Sequence, residues 1–294
     1  MRSNLRIFKA SSLPPLGVTD RAIMNALIEA VDRIASATTR FAVQQALDRL
    51  DIQAAIDAIR WDVGDTFLKS ILPREIRDAY ELAAEQTVAR LDKIGVSYSF
   101  NLTNPRAPEF ARAHAAELIA EFQASSKDGI ARLIERAFTE GIPVNKLSRL
   151  IVEDGIGLTE RQARAVLNFR RRLERNTELD LTDAALNAKV DRYAAGLLRY
   201  RSETIARTEV IRASREGTQE AWRQAIDEGL IDTGRYGQMW DAVEDSRQAD
   251  DDVCPDLNGQ IVPFGGQFVI DGEAYDGPPA HPNCRCSLTE VPLK

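Results

Sequence analysis

Along the first 230 residues apolar side chains recur at intervals of three and four, the spacing that lays a single stripe along an α-helix. Ile23, Leu27, Val31 and Ile34 make the first stripe and predict a helix over about 20–36, capped by Thr19 or Asp20. Shorter helices are predicted over 40–50 and, capped by Asp51, over 52–61. After Leu72-Pro73 a stripe of Ile76, Tyr80, Ala83, Ala84, Leu91 and Ile94 predicts a longer helix ending near Gly95. Residues 97–108 hold Asn101, Asn104, Pro105 and Pro108 and read as a loop between two regions. Two more helices are predicted over 109–122 and 130–138; Gly141-Ile142-Pro143 ends the second and Asn145 opens another. Thr159 and Gln162 have capping-box spacing and start a helix that runs to about Arg175. From 182 to 228 the pattern is helical again, and a stretch this long is expected to break at Gly196 or Gly217.

Beyond Gly229 the period changes. Short runs such as Gln260-Ile261-Val262 and Gln267-Phe268-Val269-Ile270 lie between the turn pairs Asn258-Gly259, Gly265-Gly266, Asp271-Gly272 and Pro278-Pro279. Turn signals this dense predict small antiparallel strands. The fold class is therefore mainly α, with N-terminal and central helical regions and a small C-terminal α+β module of short antiparallel strands. Four regions are expected: an extended arm over 1–18, an N-terminal helical region over 19–100, a central helical region over 109–228, and a β-rich module over 229–294. The module is expected to pack on the 200–228 helix and to fold as a separate unit, leaving residues 19–95 to bind a partner.

Composition narrows this only a little. At 294 residues, 44% hydrophobic and 28% charged, the chain is an ordinary globular mixture able to bury a sizeable core. A net charge of -7 gives no overall attraction to nucleic acid or anionic lipid, so any DNA contact has to be local. No apolar run approaches the roughly 20 residues of a bilayer span, and Met1 to Ile7 do not open a secretory signal. A cytoplasmic setting is expected, where an odd number of cysteines means metal binding or free thiols, not a disulfide framework.

The candidate chemistry is concentrated at one end. All three cysteines, Cys254, Cys284 and Cys286, and one of the two histidines, His281, lie between 254 and 286. Three thiolates and one imidazole form a donor set that tetrahedral zinc accepts in structural sites. The spacing is unusual: Leu257 stands where a Cys-x-x-Cys knuckle would place its second thiol, and Cys284 and Cys286 are only two residues apart. Zinc ligands and small buried hydrophobes are both open readings of these thiols. His114, in a helical pattern far away, reads as structural.

Several pieces then combine. The helix carries Ile205-Ala206-Arg207-Thr208-Glu209; Trp240 precedes an acidic turn around Asp245 and Arg247; Cys254 precedes Asn258-Gly259; and the chain nears its end with Pro278-Pro279-Ala280-His281-Pro282-Asn283-Cys284-Arg285-Cys286. In this order and spacing they resemble the phage Mu F-like head morphogenesis proteins, also called minor head or minor capsid proteins. The stretch from Gly129 to Arg172, with Gly157-Leu158-Thr159, also looks like that family. The resemblance marks Arg207, Thr208, Glu209, Trp240, Asp245, Arg247, Asn258, Gly259, Pro279, Asn283 and Arg285 as structural motif residues. It implies a structural virion protein of a tailed phage or prophage, associated with the portal and acting in head assembly, DNA packaging or delivery. Its implied partners are the portal, other head proteins and packaged DNA, with no membrane; its implied location is the phage head, after assembly in host cytoplasm.

Two other functions compete. One is an enzyme, either zinc-dependent or ADP-ribosyltransferase-like. Catalytic zinc keeps an open position beside a general base, and Asp256 and Glu273 are the carboxylates that could serve. Arg207 and Glu209 lie two apart on different faces of a helix, which favours salt bridges to the C-terminal module over a shared substrate. The other is a DNA-binding virion protein using Arg161, Arg164, Arg170, Arg171, Arg172 and Arg175. A solvated face paired with Glu160 and Glu174 is the plainer reading of that cluster.

Overall fold

A computed structural model describes residues 17–101, 104–176, 179–243 and 253–293. Residues 1–16 of the expected arm and the motif residues Asp245 and Arg247 lie outside the described residues. The described chain is mainly α-helical, with short antiparallel strands gathered after residue 235.

The N-terminal helices are α1 (Val18–Ala37), α2 (Arg40–Asp48), α3 (Ile52–Asp57) and α4 (Trp61–Lys93). Thr19 and Asp20 fall inside the first turn of α1, and the Asp20 carboxylate reaches back to accept from the Gly17 N–H at 3.0 Å. Asp51 caps α3 as expected, accepting from the Ala54 N–H at 2.9 Å. Helix α4 starts earlier than the stripe suggested and runs through Pro73. Proline removes the N–H that would serve the carbonyl of Lys69, but Lys69 is exposed, so water can take that role. Leu68, Leu72 and Ile76 stay buried on the other face.

Next come α5 (Arg106–Thr139), α6 (Val144–Arg149), a π-helical turn (Leu150–Gly155), α7 (Glu160–Arg175) and α8 (Asp183–Asp227). The two helices expected over 109–138 are the single helix α5. Ser125 and Ser126 return their hydroxyls to the preceding turn, and Gly129 admits the Leu158 carbonyl, 2.5 Å from where a Cβ would stand. The glycine marks a close approach, not a break. Thr159 and Gln162 form the predicted capping box. Helix α8 is unbroken over 45 residues. Gly217 sits where the Tyr80 carbonyl oxygen would be 2.0 Å from a Cβ, so it too is a packing glycine. Three helix ends share one cap: at Gly95, Gly141 and Gly229, all at positive φ, the N–H of the following residue closes back on a carbonyl five residues before it.

The strands are β1 (Tyr236–Asp241), β2 (Ile261–Pro263), β3 (Phe268–Ile270), β4 (Glu273–Tyr275) and β5 (Ser287–Pro292), with the short helix α9 (Val253–Leu257) between the first two. Strand β1 is central in an antiparallel sheet of order β2-β1-β5, while β3 and β4 form a separate hairpin. Asp271 and Gly272 close that hairpin, both at positive φ, as a two-residue turn between twisted strands requires.

The described chain forms two compact units, each gathered from separated segments. One gathers 17–21, Ile76–Ala107 and the described residues of Thr204–Lys294; the other gathers Ala22–Glu75 and the described residues of Pro108–Glu203. Helices α1, α4, α5 and α8 pass from one to the other, and a helix of 33 to 45 residues is about 50–70 Å long, more than one small domain covers. The first unit has a core of Leu91 from α4, Trp222 and Ala225 from α8, and Trp240, Cys254, Leu257, Phe268, Cys284, Cys286 and Leu288 from the β-rich end.

Candidate functional site

The site lies inside the first unit, where the β-rich end meets the second half of α8. Thr204 and Thr208, one turn apart on α8, grip the loop before β5. The Asn283 backbone N–H donates to Thr208 Oγ1 at 3.1 Å, and its side-chain amide donates to Thr204 Oγ1 at 3.1 Å. Asn283 adopts φ +62°, the left-handed conformation asparagine tolerates better than most residues. That bend, with the Cys284 N–H returning to the His281 carbonyl at 3.2 Å, turns the chain just ahead of Cys284 and sets where the two cysteines point.

All three thiols consequently face inward. Their sulfurs lie within 4.8 Å of one another, with 3.7 Å between Cys254 and Cys284, and all three residues are buried. Cys254 is carried by α9, an element the sequence pattern did not reveal. His281 approaches from the rim with Nε2 3.2 Å from the Cys254 sulfur. Hydrogen bonding with Cys254 and Cys286 acts most strongly on Cys284 and holds its thiol down at about 3 against the effect of burial. The same sharing pushes the Cys254 thiol up.

The remaining motif residues hold this arrangement. Asn258 accepts the Ala242 N–H at 3.0 Å, and Gly259, at φ +77°, donates its N–H to the Trp240 carbonyl at 2.9 Å. These bonds tie the end of α9 to β1. Trp240 is fully buried and meets Phe268 edge to face at 5.3 Å. Pro279 follows a cis peptide, and Arg285 is half-buried and engaged. Glu209 is buried and pairs with Arg212 of its own helix at 3.4 Å, and Arg207 is buried and partnered. Thr204 was missed: a threonine four residues before Thr208 shares its face, but nothing in the sequence told it from any other helical threonine. Glu290 was missed for the same reason. It is a buried acid on β5 that receives Arg90 at 3.1 Å and the Trp222 indole N–H at 3.4 Å.

A family model described as Phage Mu protein F like protein matches residues 128–289, more than half of the chain. The chain belongs to that family. No curated protein and no solved structure matches it. The Mu F-like match begins within α5 and ends in β5, so it takes in both threonines of the clamp and all four cysteine and histidine positions. Membership makes the chain a phage head morphogenesis protein of the Mu F-like kind. Asp256 is on α9 and Glu273 on β4, both exposed. His114 precedes the match and is buried, stacked on Phe110 at 5.3 Å. Of the arginines on α7, two are used by the fold itself: Arg170 bonds Glu174 and Asn187, and Arg171 pairs with Glu140.

Proposed function

We propose that this Mu F-like protein is a structural minor head protein of a tailed phage or prophage, bound to the portal and other head proteins and needed for head assembly, DNA packaging or delivery. The observation that supports this most directly is what the motif residues do. Thr208, Asn283, Asn258, Gly259 and Trp240 spend their polar groups or their bulk on holding the β-rich end to α8 and β1. A motif used up in internal joints builds a rigid surface for other proteins, and that is a non-catalytic role. No described helix is long and apolar enough to cross a membrane.

The test is made on particles. Heads purified from a lysate should contain the chain in far fewer copies than the major capsid protein, and a tagged chain co-expressed with the portal should retain it. Deleting the gene should leave heads that are malformed, empty or unable to deliver DNA. A chain absent from heads that neither retains the portal nor is needed for infectious particles would refute the proposal. Retention of the purified protein on DNA that falls steeply with salt would favour the DNA-binding reading.

A further inference from the structure

We infer that Cys254, Cys284, Cys286 and His281 form a closed tetrahedral zinc site that fastens α9 and the loop before β5 to the core. Zinc–sulfur bonds of about 2.3 Å at tetrahedral angles set sulfurs about 3.8 Å apart, and a zinc–nitrogen bond of about 2.05 Å sets nitrogen about 3.6 Å from sulfur. The Cys254–Cys284 separation is 3.7 Å and the His281 Nε2–Cys254 separation is 3.2 Å. The three sulfurs, within 4.8 Å of one another, are thus gathered almost as a metal would gather them, and His281 stands at the Cys254 side, outside that mutual distance, so that a modest approach of its ring completes the set.

The histidine supplies an independent indication. Its Nδ1 lies 2.9 Å from the Pro282 carbonyl oxygen, and a carbonyl only accepts, so the proton of neutral imidazole resides on Nδ1. The Nε2 lone pair is then turned toward the sulfurs. A backbone carbonyl that fixes the tautomer this way is the usual support of a zinc-bound histidine.

Zinc binding takes all three sulfurs as thiolates, any thiol protons that remain leaving to solvent, and gives a centre of net charge -1 with all four positions filled by protein. Such a centre is structural, with no place for a substrate. This inference rests on the cluster alone and stands whether or not the head assignment holds.

The experiment uses the full chain, expressed in zinc-replete medium and purified without chelator. Elemental analysis should find about one zinc per chain. Cobalt exchanged for zinc should give the visible bands of a tetrahedral ion and thiolate-to-cobalt charge transfer. Cys284→Ser should lose the ion. His281→Asn, which alters only the rim, should keep it through three thiolates with a shifted cobalt spectrum and weaker retention against chelator. Zinc at background together with no cobalt bands would overturn the inference. So would a mass deficit of two protons showing a disulfide in protein kept from oxidant, or zinc content unchanged in a folded Cys284→Ser protein.

Discussion

Asn283 shows how much one residue can carry. It bends the chain at positive φ, hands its N–H to Thr208 and its amide to Thr204, and so aims Cys284 inward. Asn283→Ala loses the amide bond and strains the bend, and is expected to cost about 1–3 kcal/mol in urea unfolding. Thr208→Val removes the acceptor of the N–H. The double variant should be non-additive by about 0.5 kcal/mol or more, because both substitutions act on one joint. Asp154, in the π-helical turn of the second unit, works differently. Burial, then the Asp191 carboxylate, raise it to about 7 against the pull of Arg149, 3.7 Å away. With its folded value above the ordinary 3.8, the folded protein holds this proton more tightly than the unfolded chain. Its effect is therefore to lower stability as pH rises from about 4 to about 7. Asp154→Asn cannot ionise, so its melting temperature relative to the parent should rise between pH 4.5 and 7.5; a constant difference would show that Asp154 titrates normally.

At the scale of elements, the glycines of α8 separate two roles that look identical in sequence. A methyl at Gly217 would meet the Tyr80 carbonyl of α4, backbone that cannot swing aside, whereas Gly196 has nothing within 4 Å. Gly217→Ala should force the helices apart and cost several kcal/mol, beyond the roughly 1–3 kcal/mol of ordinary overpacking. Gly196→Ala should stabilise by about 0.5–1 kcal/mol through helix propensity. Thermal melts of the two variants decide it. The helix stripes, the capping box at Thr159 and Gln162, the glycine stops at 95, 141 and 229, and the Asp271-Gly272 hairpin were legible because each depends on neighbours within a few residues. The false breaks at Pro73, in the middle of α5 and in α8 were not avoidable from sequence, since the same residue that ends a lone helix also permits close packing against another.

On the scale of the whole molecule, the β-rich end completes its core with residues of α4 and α8: Leu91, Trp222 and Ala225 join Trp240, Phe268 and the three cysteines. The described residues of 97–106 are likewise drawn onto α8 through Asn101 with Gln224 at 2.8 Å, Asn104 with Glu220 at 2.7 Å and Arg106 with Glu220 at 3.2 Å. A fragment of residues 229–294 should therefore fail to fold even with zinc, judged by NMR dispersion. Adding 76–107 and 204–228 should rescue it; a folded 229–294 fragment would restore the independent module expected from sequence. The chain by itself determined the helical class, the β-rich end, the Mu F-like membership and the identity of the four metal-capable residues, because periodicity, turn chemistry and motif order are written in consecutive positions. Only the tertiary structure decided that the thiols meet, that two threonines clamp Asn283, and that each unit is assembled from segments separated by 32 to 96 intervening residues. Those outcomes depend on which surfaces exclude water together, and contacts between distant segments leave no local pattern in one sequence.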